Sequence, residues 1–275
     1  MTVRLAILEG AEALAAASDT PRLDAELLMA ALLDTTRSDM LLRRMNNPLP
    51  SGWGHLVRRR MEREPVAYIL GEAEFRGLTL AVSPAVLIPR GDSETIVEAA
   101  IEAKPGARRV LDCGTGSGAL LLAILAELPM AQGIGIDASA AACEVARENA
   151  ASLGLAERAS VREVDWTAPG WSDALGTFDL VVANPPYVED DAKLEPDVRD
   201  FEPASALFAG PDGLDDYLVL VPQLPALLQP GGIAVLEIGH EQAESVAAIA
   251  AAAGFASELR RDLGGRPRAL ILRHG

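Results

Sequence analysis

Asn184-Pro185-Pro186-Tyr187 is the stretch of this 275-residue sequence whose residue types could do the most specific chemistry. An amide or aniline-like nitrogen is a poor nucleophile because its lone pair is delocalised. Two acceptors, the Asn184 side-chain oxygen and the Pro185 backbone carbonyl, can grip the two hydrogens of such a nitrogen. That would orient it for in-line attack on an activated methyl group and stabilise the positive charge that builds on it. Two successive prolines, Pro185 and Pro186, hold those acceptors in place beforehand. Tyr187 offers a flat surface for a planar group. No strong base is in sight, and none is required, because an alkylated amide nitrogen in its protonated form gives up its proton to water.

A second constellation names the methyl donor. Asp112-Cys113-Gly114-Thr115-Gly116-Ser117-Gly118 follows a short apolar run, and glycines there allow a tight turn and close approach of backbone to a ligand. The spacing is GxGxG. A dinucleotide fingerprint would put its third glycine where Ala119 stands, so the spacing favours S-adenosylmethionine over NAD. Gly114, Thr115, Gly116, Ser117 and Gly118, helped by Asp112, would meet its methionine end. Asp137, about 20 positions further on, is placed to accept both ribose hydroxyls, or to cap the following helix, or both. Asp165 could take the adenine amino group, and Trp166 could stack on or flank the ring. Asn184 would lie against both the cofactor and the accepting nitrogen.

These residues need a frame. From about residue 92 the pattern alternates strand and helix: strands at 109–113, 133–136, 161–164, 180–183 and 233–237, helices at 119–128 and 140–153. That alternation predicts a mainly parallel sheet with helices on both faces, with ligands beyond the carboxyl ends of its strands. Residues 213–228 look helical, but Pro222 and Pro225 should split them. Residues 72–83 read as two short strands around Gly77. The first 70 or so residues read as helices, with apolar stripes at Leu5, Leu8, Ala11 and Leu14 and at Leu23, Leu27 and Leu32. Asp19-Thr20-Pro21 gives a start signal with a capping side chain. A further helix from near Ser51 carries Arg58, Arg59, Arg60 and Arg63, either as a solvated face or as a contact surface for an acidic or phosphate-bearing partner.

Composition narrows the class. Half of the residues are hydrophobic, 49%, and the formal net charge is −16. That is a globular chain without the clear basic face of a duplex-DNA binder. Two cysteines, Cys113 and Cys143, without a CxxC, suggest neither a disulfide framework nor a metal site. No signal peptide and no membrane span is expected, so the expected compartment is the cytoplasm. The three histidines are scattered and carry no assigned chemistry.

Taken together the motifs resemble the HemK/PrmC family of protein-(glutamine-N5) methyltransferases. The likeness extends over nearly the whole chain. It includes Arg22-Leu23-Asp24-Ala25-Glu26-Leu27-Leu28, Glu64 to Gly71 with Phe75, Val82-Ser83-Pro84, Leu87-Ile88-Pro89-Arg90 and Glu94. Beyond the sites named above it continues through Phe201-Glu202-Pro203, Asp212-Gly213-Leu214-Asp215, Leu236-Glu237-Ile238-Gly239 and Asp262-Leu263-Gly264-Gly265-Arg266. One departure is Gly91, where the family usually has proline after the arginine. The resemblance implies a class I S-adenosylmethionine methyltransferase fold, Rossmann-like, with a mainly parallel seven-stranded sheet at residues 91–275. A small helical substrate-docking domain at 1–71 and a β-hairpin linker at 72–90 would precede it. It implies as substrate the glutamine of the Gly-Gly-Gln loop of class I peptide chain release factors, with S-adenosylhomocysteine as by-product. A monomer is expected, although no motif sets the oligomeric state. The acidic stretch from Glu189 to Glu202 would then meet basic surface around that loop. The alternatives are an adenine-N6, cytosine-N4 or rRNA guanine-N2 amino-methyltransferase, which would act on a flipped base, and a cofactor-binding regulator without activity.

Overall fold

The computed structural model describes residues 1–274, and they divide into two compact units: 1–72 together with 194–201, and 73–193 together with 202 onward. The hairpin thus falls with the second unit, and a piece of the acidic stretch falls with the first.

The first unit is helical. Its main helices are α1 (Val3–Leu14), α2 (Pro21–Leu32), α3 (Arg37–Asp39), α4 (Trp53–Met61) and α5 (Val66–Leu70). The apolar stripes expected for α1 and α2 coincide only in part with the buried faces: Leu14 is buried and Ala11 and Leu32 pack against the core, but Leu5, Leu8 and Leu23 are exposed. Val3, Ala6, Ile7, Gly10 and Leu14 are buried, while Leu5 and Leu8 are about half exposed at 51% and 50%. On α2 the buried set is Asp24, Ala25, Glu26, Leu28, Met29 and Ala30. Both helices carry apolar residues almost all round, so periodicity alone does not select a face. Thr20 precedes α2 but makes no capping bond to the helix backbone. Its hydroxyl donates instead to Asp24 at 3.0 Å, and Pro21 supplies the first turn. Asp24 is buried because Arg60 reaches it at 2.7 Å, and Glu26 because Arg22 and Arg37 do. The arginine run is therefore divided: Arg60 is buried on Asp24 and Arg59 is bidentate to Glu64, while Arg58 is exposed.

The second unit is built on a seven-stranded sheet of order β5-β4-β3-β6-β7-β9-β8. Its strands are β3 (Arg109–Cys113), β4 (Gln132–Asp137), β5 (Ala159–Glu163), β6 (Phe178–Ala183), β7 (Leu228–Glu237), β8 (Phe255–Arg261) and β9 (Pro267–His274). Strands β3 to β7 are parallel, and β9 runs antiparallel to both β7 and β8. The five parallel strands stand where the alternation placed them. The terminal antiparallel pair had no counterpart in that reading. One face is covered by α6 (Glu94–Ala103), α7 (Ala119–Glu127) and the hairpin β1 (Glu72–Phe75) and β2 (Leu78–Ala81), around Phe75, Leu80, Ile96, Leu121 and Ile124. The other face is covered by α10 (Asp215–Leu220), α11 (Leu224–Leu227) and α12 (Ala243–Ala252), with Tyr217, Leu220, Leu224 and Val246 buried. Between α10 and α11 the chain tightens into a 3-10 turn at Val221–Gln223, the break that the two prolines foretold. The remaining helices are α8 (Ala140–Ser152), beside β5, and the short α9 (Pro196–Phe201) of the first unit.

The strand order sets where a ligand can sit. The chain winds outward from β3 to β5, then returns to place β6 on the other side of β3. A crevice opens at such a switch point, beyond the carboxyl ends of the strands.

Candidate active site

Register brings the two motifs together. Cys113 of β3 pairs with Ala183 of β6, so Gly114 and Asn184 leave the sheet side by side. Ile136 pairs with Cys113, and Glu163 with Asp137, so Asp137 and the Asp165-Trp166 pair emerge at the same edge. A cavity of about 250 Å³ opens there. Gly114, Thr115, Gly116, Ser117, Asp137, Asp165, Trp166, Asn184 and Pro186 line it.

Asp112, Gly118, Pro185 and Tyr187 are not among the residues that line that cavity. Asp112 is fully buried and accepts from the Thr115 hydroxyl at 2.7 Å. Its Oδ1 is buried without a hydrogen-bond partner. Burial pushes its carboxyl up to about 7, against the hydrogen bonding of Thr115 and the Leu121 amide, and the Asp137 charge adds to the rise. Gly118 precedes α7 with a positive φ of 84°. Pro185 is buried. Tyr187 is half-buried and turns its hydroxyl inward, donating to Glu237 Oε1 at 3.2 Å. Burial and the Glu237 charge hold that phenol well above its usual range, so it remains a donor.

The glycine loop is held open by backbone geometry. Gly114 and Gly116 adopt φ of 74° and 53°, the left-handed region where a side chain is strained. A Cβ on Gly114 would also lie 3.1 Å from the Trp166 ring, whereas one on Gly116 would meet open space. Gly116 donates its N–H to Asp137 Oδ2 at 2.9 Å, and Ser139 donates to Oδ1 at 2.9 Å. Asp137 thus supports the turn, while Ser139 is the residue that caps α8, through Ala142. Asp165 accepts from the Thr167 hydroxyl and backbone N–H, which hold its carboxyl below the usual range.

Several lining residues have no role in the sequence reading, although some stand in stretches singled out there. Arg90 and Ser93 come from the segment before α6, Pro203 and Ser205 from the segment after Glu202, and Asp216 from α10. Glu202 is buried, pairs with Arg90 and accepts from the Ile88 N–H at 3.4 Å. On the other side of Gly91, Asp92 is held by Arg266 and Arg268, each at 3.0 Å. Ion pairs on both flanks of Gly91 therefore hold the segment beside the cavity. Asp216 is half-buried. Burial raises its carboxyl while the Trp166 indole, bonded to it, lowers it. Asn149, 1% exposed, ties the hairpin to the glycine loop. It accepts from the Ala81 N–H at 2.7 Å and donates to the carbonyls of Ala81 and Ser117 at 3.0 and 2.8 Å. No local pattern marks these residues, because their partners lie 32 or more positions away in the chain.

The cavity suits S-adenosylmethionine. A loop without side chains at its tightest turn leaves room for the methionine end, and two carboxylates stand where hydroxyl and amino groups of a nucleoside could donate. The Trp166 ring lies between the loop and Asp216, beside Asp165. Among the described residues no group of three or more His, Cys, Asp or Glu side chains could hold a metal ion, and no helix is long and apolar enough to cross a membrane.

Comparison with known proteins agrees with this architecture. Residues 6–71 match the PrmC N-terminal domain and residues 105–252 a methyltransferase domain. The chain is 42% identical over 262 residues to the release factor glutamine methyltransferase of Caulobacter vibrioides, covering 92% of this chain and 89% of the relative. It is 41% identical over 281 residues to that of Moorella thermoacetica, covering 98% of each. Among solved structures, the catalytic domain of hMettl16 superposes with a TM-score of 0.57 at 14% identity, covering 72% of this chain and 76% of that one. At that identity the likeness is one of fold, the methyltransferase fold expected from the strand order.

Proposed function

The chain belongs to the release factor glutamine methyltransferase family, and from that membership we propose that it methylates the side-chain amide nitrogen of the Gly-Gly-Gln glutamine in class I peptide chain release factors. The observation that carries the reading is the register that sets Gly114 beside Asn184 at one sheet edge. It makes one cavity of the glycine loop and the acceptor motif.

Bound S-adenosylmethionine supplies a methyl group on a sulfonium centre. This chain's residues bind, orient and shield. Gly114 to Ser117 cradle the methionine end, Asp137 accepts from the ribose hydroxyls, and Asp165 with Trp166 takes the adenine. Asn184 and Pro185 each accept one hydrogen of the glutamine amide, which turns its nitrogen toward the methyl and offsets positive charge on it. The amide proton leaves to water. A nucleic-acid amino group would fit the same two acceptors, but a net charge of −16 opposes a phosphate-bearing substrate. The exposed acids Glu189, Asp190, Asp191 and Glu195 suit a basic protein partner instead.

Methyl transfer from labelled cofactor tests the reading. A release factor should be labelled, whereas the same factor with its loop glutamine changed to alanine, duplex DNA and rRNA should not. Label on DNA, on rRNA or on the glutamine-free factor would overturn the substrate assignment.

A further inference from the structure

Glu237 is a buried acid that the reaction as described does not use. It ends β7, and its carboxylate is 1% exposed. Leu236 pairs with Ala183 across the sheet, so Glu237 stands level with Asn184. One oxygen, Oε1, accepts from the Tyr187 hydroxyl at 3.2 Å. The other, Oε2, is buried without a hydrogen-bond partner, and so is Ser93 Oγ. Ser93 nevertheless lies close enough to Glu237 to favour its charged form, and Ser93 lines the cavity.

The groups that face this carboxylate come from every element packed on it. Tyr187 comes from the loop after β6, Asp92 and Ser93 from the turn before α6, and Arg268 from β9. Tyr217 of α10 donates to the Glu237 backbone carbonyl at 2.7 Å. Arg268 favours the Glu237 charge from nearby, but two of its nitrogens donate to the Ile238 carbonyl and Asp92, and its Nε is buried without a hydrogen-bond partner. An ionisable group at this depth is costly, and a fold that needed only its shape would be served by glutamine.

We propose that Glu237 is a positioning residue for methyl transfer: its charged carboxylate holds the Tyr187 hydroxyl on Oε1, and thereby fixes the neighbouring Asn184 and Pro185 acceptors against the cavity. Hydrogen bonds to a charged acceptor are roughly twice as strong as neutral ones. Burial pushes the Glu237 carboxyl up to about 7, partly offset by Ser93, Arg268 and Tyr187. The grip therefore tightens as pH rises through neutrality.

The inference rests on the methyl-transfer reading, and one set of assays separates the two. Glu237→Gln, Tyr187→Phe and the double variant are assayed with release factor between about pH 6 and 9, alongside thermal melts. Glu237→Gln should lower kcat about tenfold and leave both KM values within about twofold. The rise of wild-type kcat through about pH 7 should vanish in that variant. The double variant should be no slower than the slower single variant, because both changes cut the same link. At pH 8 the melting temperature of Glu237→Gln should equal or exceed that of wild type, since a buried charge has gone. An undisturbed kcat and pH rise in Glu237→Gln, additive rate losses, or a rate loss matched by a fall in melting temperature would each overturn the positioning role alone. A wild-type enzyme that does not label the release factor would remove the reading and the inference with it.

Discussion

The two ends of the cavity are held in different ways. At the cofactor end, Asp137 is fixed by the N–H groups of Gly116 and Ser139, and Asp165 by Thr167, partners 21 or fewer positions away. At the acceptor end, Tyr187 is held through its hydroxyl by Glu237, through its carbonyl by Gln242 and through its N–H by the Leu207 carbonyl. Those partners lie up to 55 positions away. The two carboxylates of the cofactor end are set by one turn and the next strand, while Ser117 and Trp166 are tied to Asn149 and Asp216 from farther along the chain. Precise placement of an acceptor pair draws on several strands and helices at once. Variants at the two ends should therefore fail differently, binding at one and rate at the other.

The sharpest contrast is expected from Asn184→Ala. Removing one of two preorganised partners of a reacting group costs roughly 10²–10³ in kcat, so turnover should nearly vanish while cofactor affinity by calorimetry stays within about threefold. Near-normal turnover would refute the acceptor role. Asp137→Ala should do the reverse. Loss of charge-assisted bonds to two hydroxyls should weaken cofactor binding by about 10–100-fold, with kcat recovered at saturation. A variant with normal affinity would break the comparison.

Stability against pH gives a smaller effect, with its sign set by two raised acids. Asp112 and Glu237 each titrate at about 7 in the folded chain, above the 3.8 and 4.5 of free side chains. Their neutral forms are favoured on folding. That contribution is whole below the unfolded values and is lost as pH rises through about 7. Asp112→Asn should flatten the fall in stability, followed as melting temperature, between about pH 4 and 7, a change of at most a few kcal/mol. A steeper fall would show that the buried charge is favourable. The smallest effect is at the surface. Neutralising Glu189, Asp190 and Asp191 should raise KM for release factor by a few fold and weaken its salt dependence, with exposed charges contributing about 0.2–1 kcal/mol each. Salt-independent affinity in wild type would remove that docking role.

The glycine spacing, the Asn-Pro-Pro-Tyr motif and the succession of the parallel strands along the chain were legible in the sequence, because each rests on neighbours along the chain. The faces of α1 and α2 were not. Val3 and Ile7 are as apolar as Leu5 and Leu8, and only the packing of α1 against α2 and α4 decides which pair is covered. Nor could sequence locate the antiparallel β8 and β9, whose alternation is irregular and whose burial comes from β7 and α12. Residue types and local spacing by themselves determined that the chain could bring a methyl donor to a planar nitrogen. Only the tertiary structure decided that Tyr187 turns inward to Glu237, that Asp216, Arg90 and Ser93 reach the cavity, and that Asn149 stitches the hairpin to the loop. Those contacts depend on strand register and helix packing, which join residues that no local pattern connects.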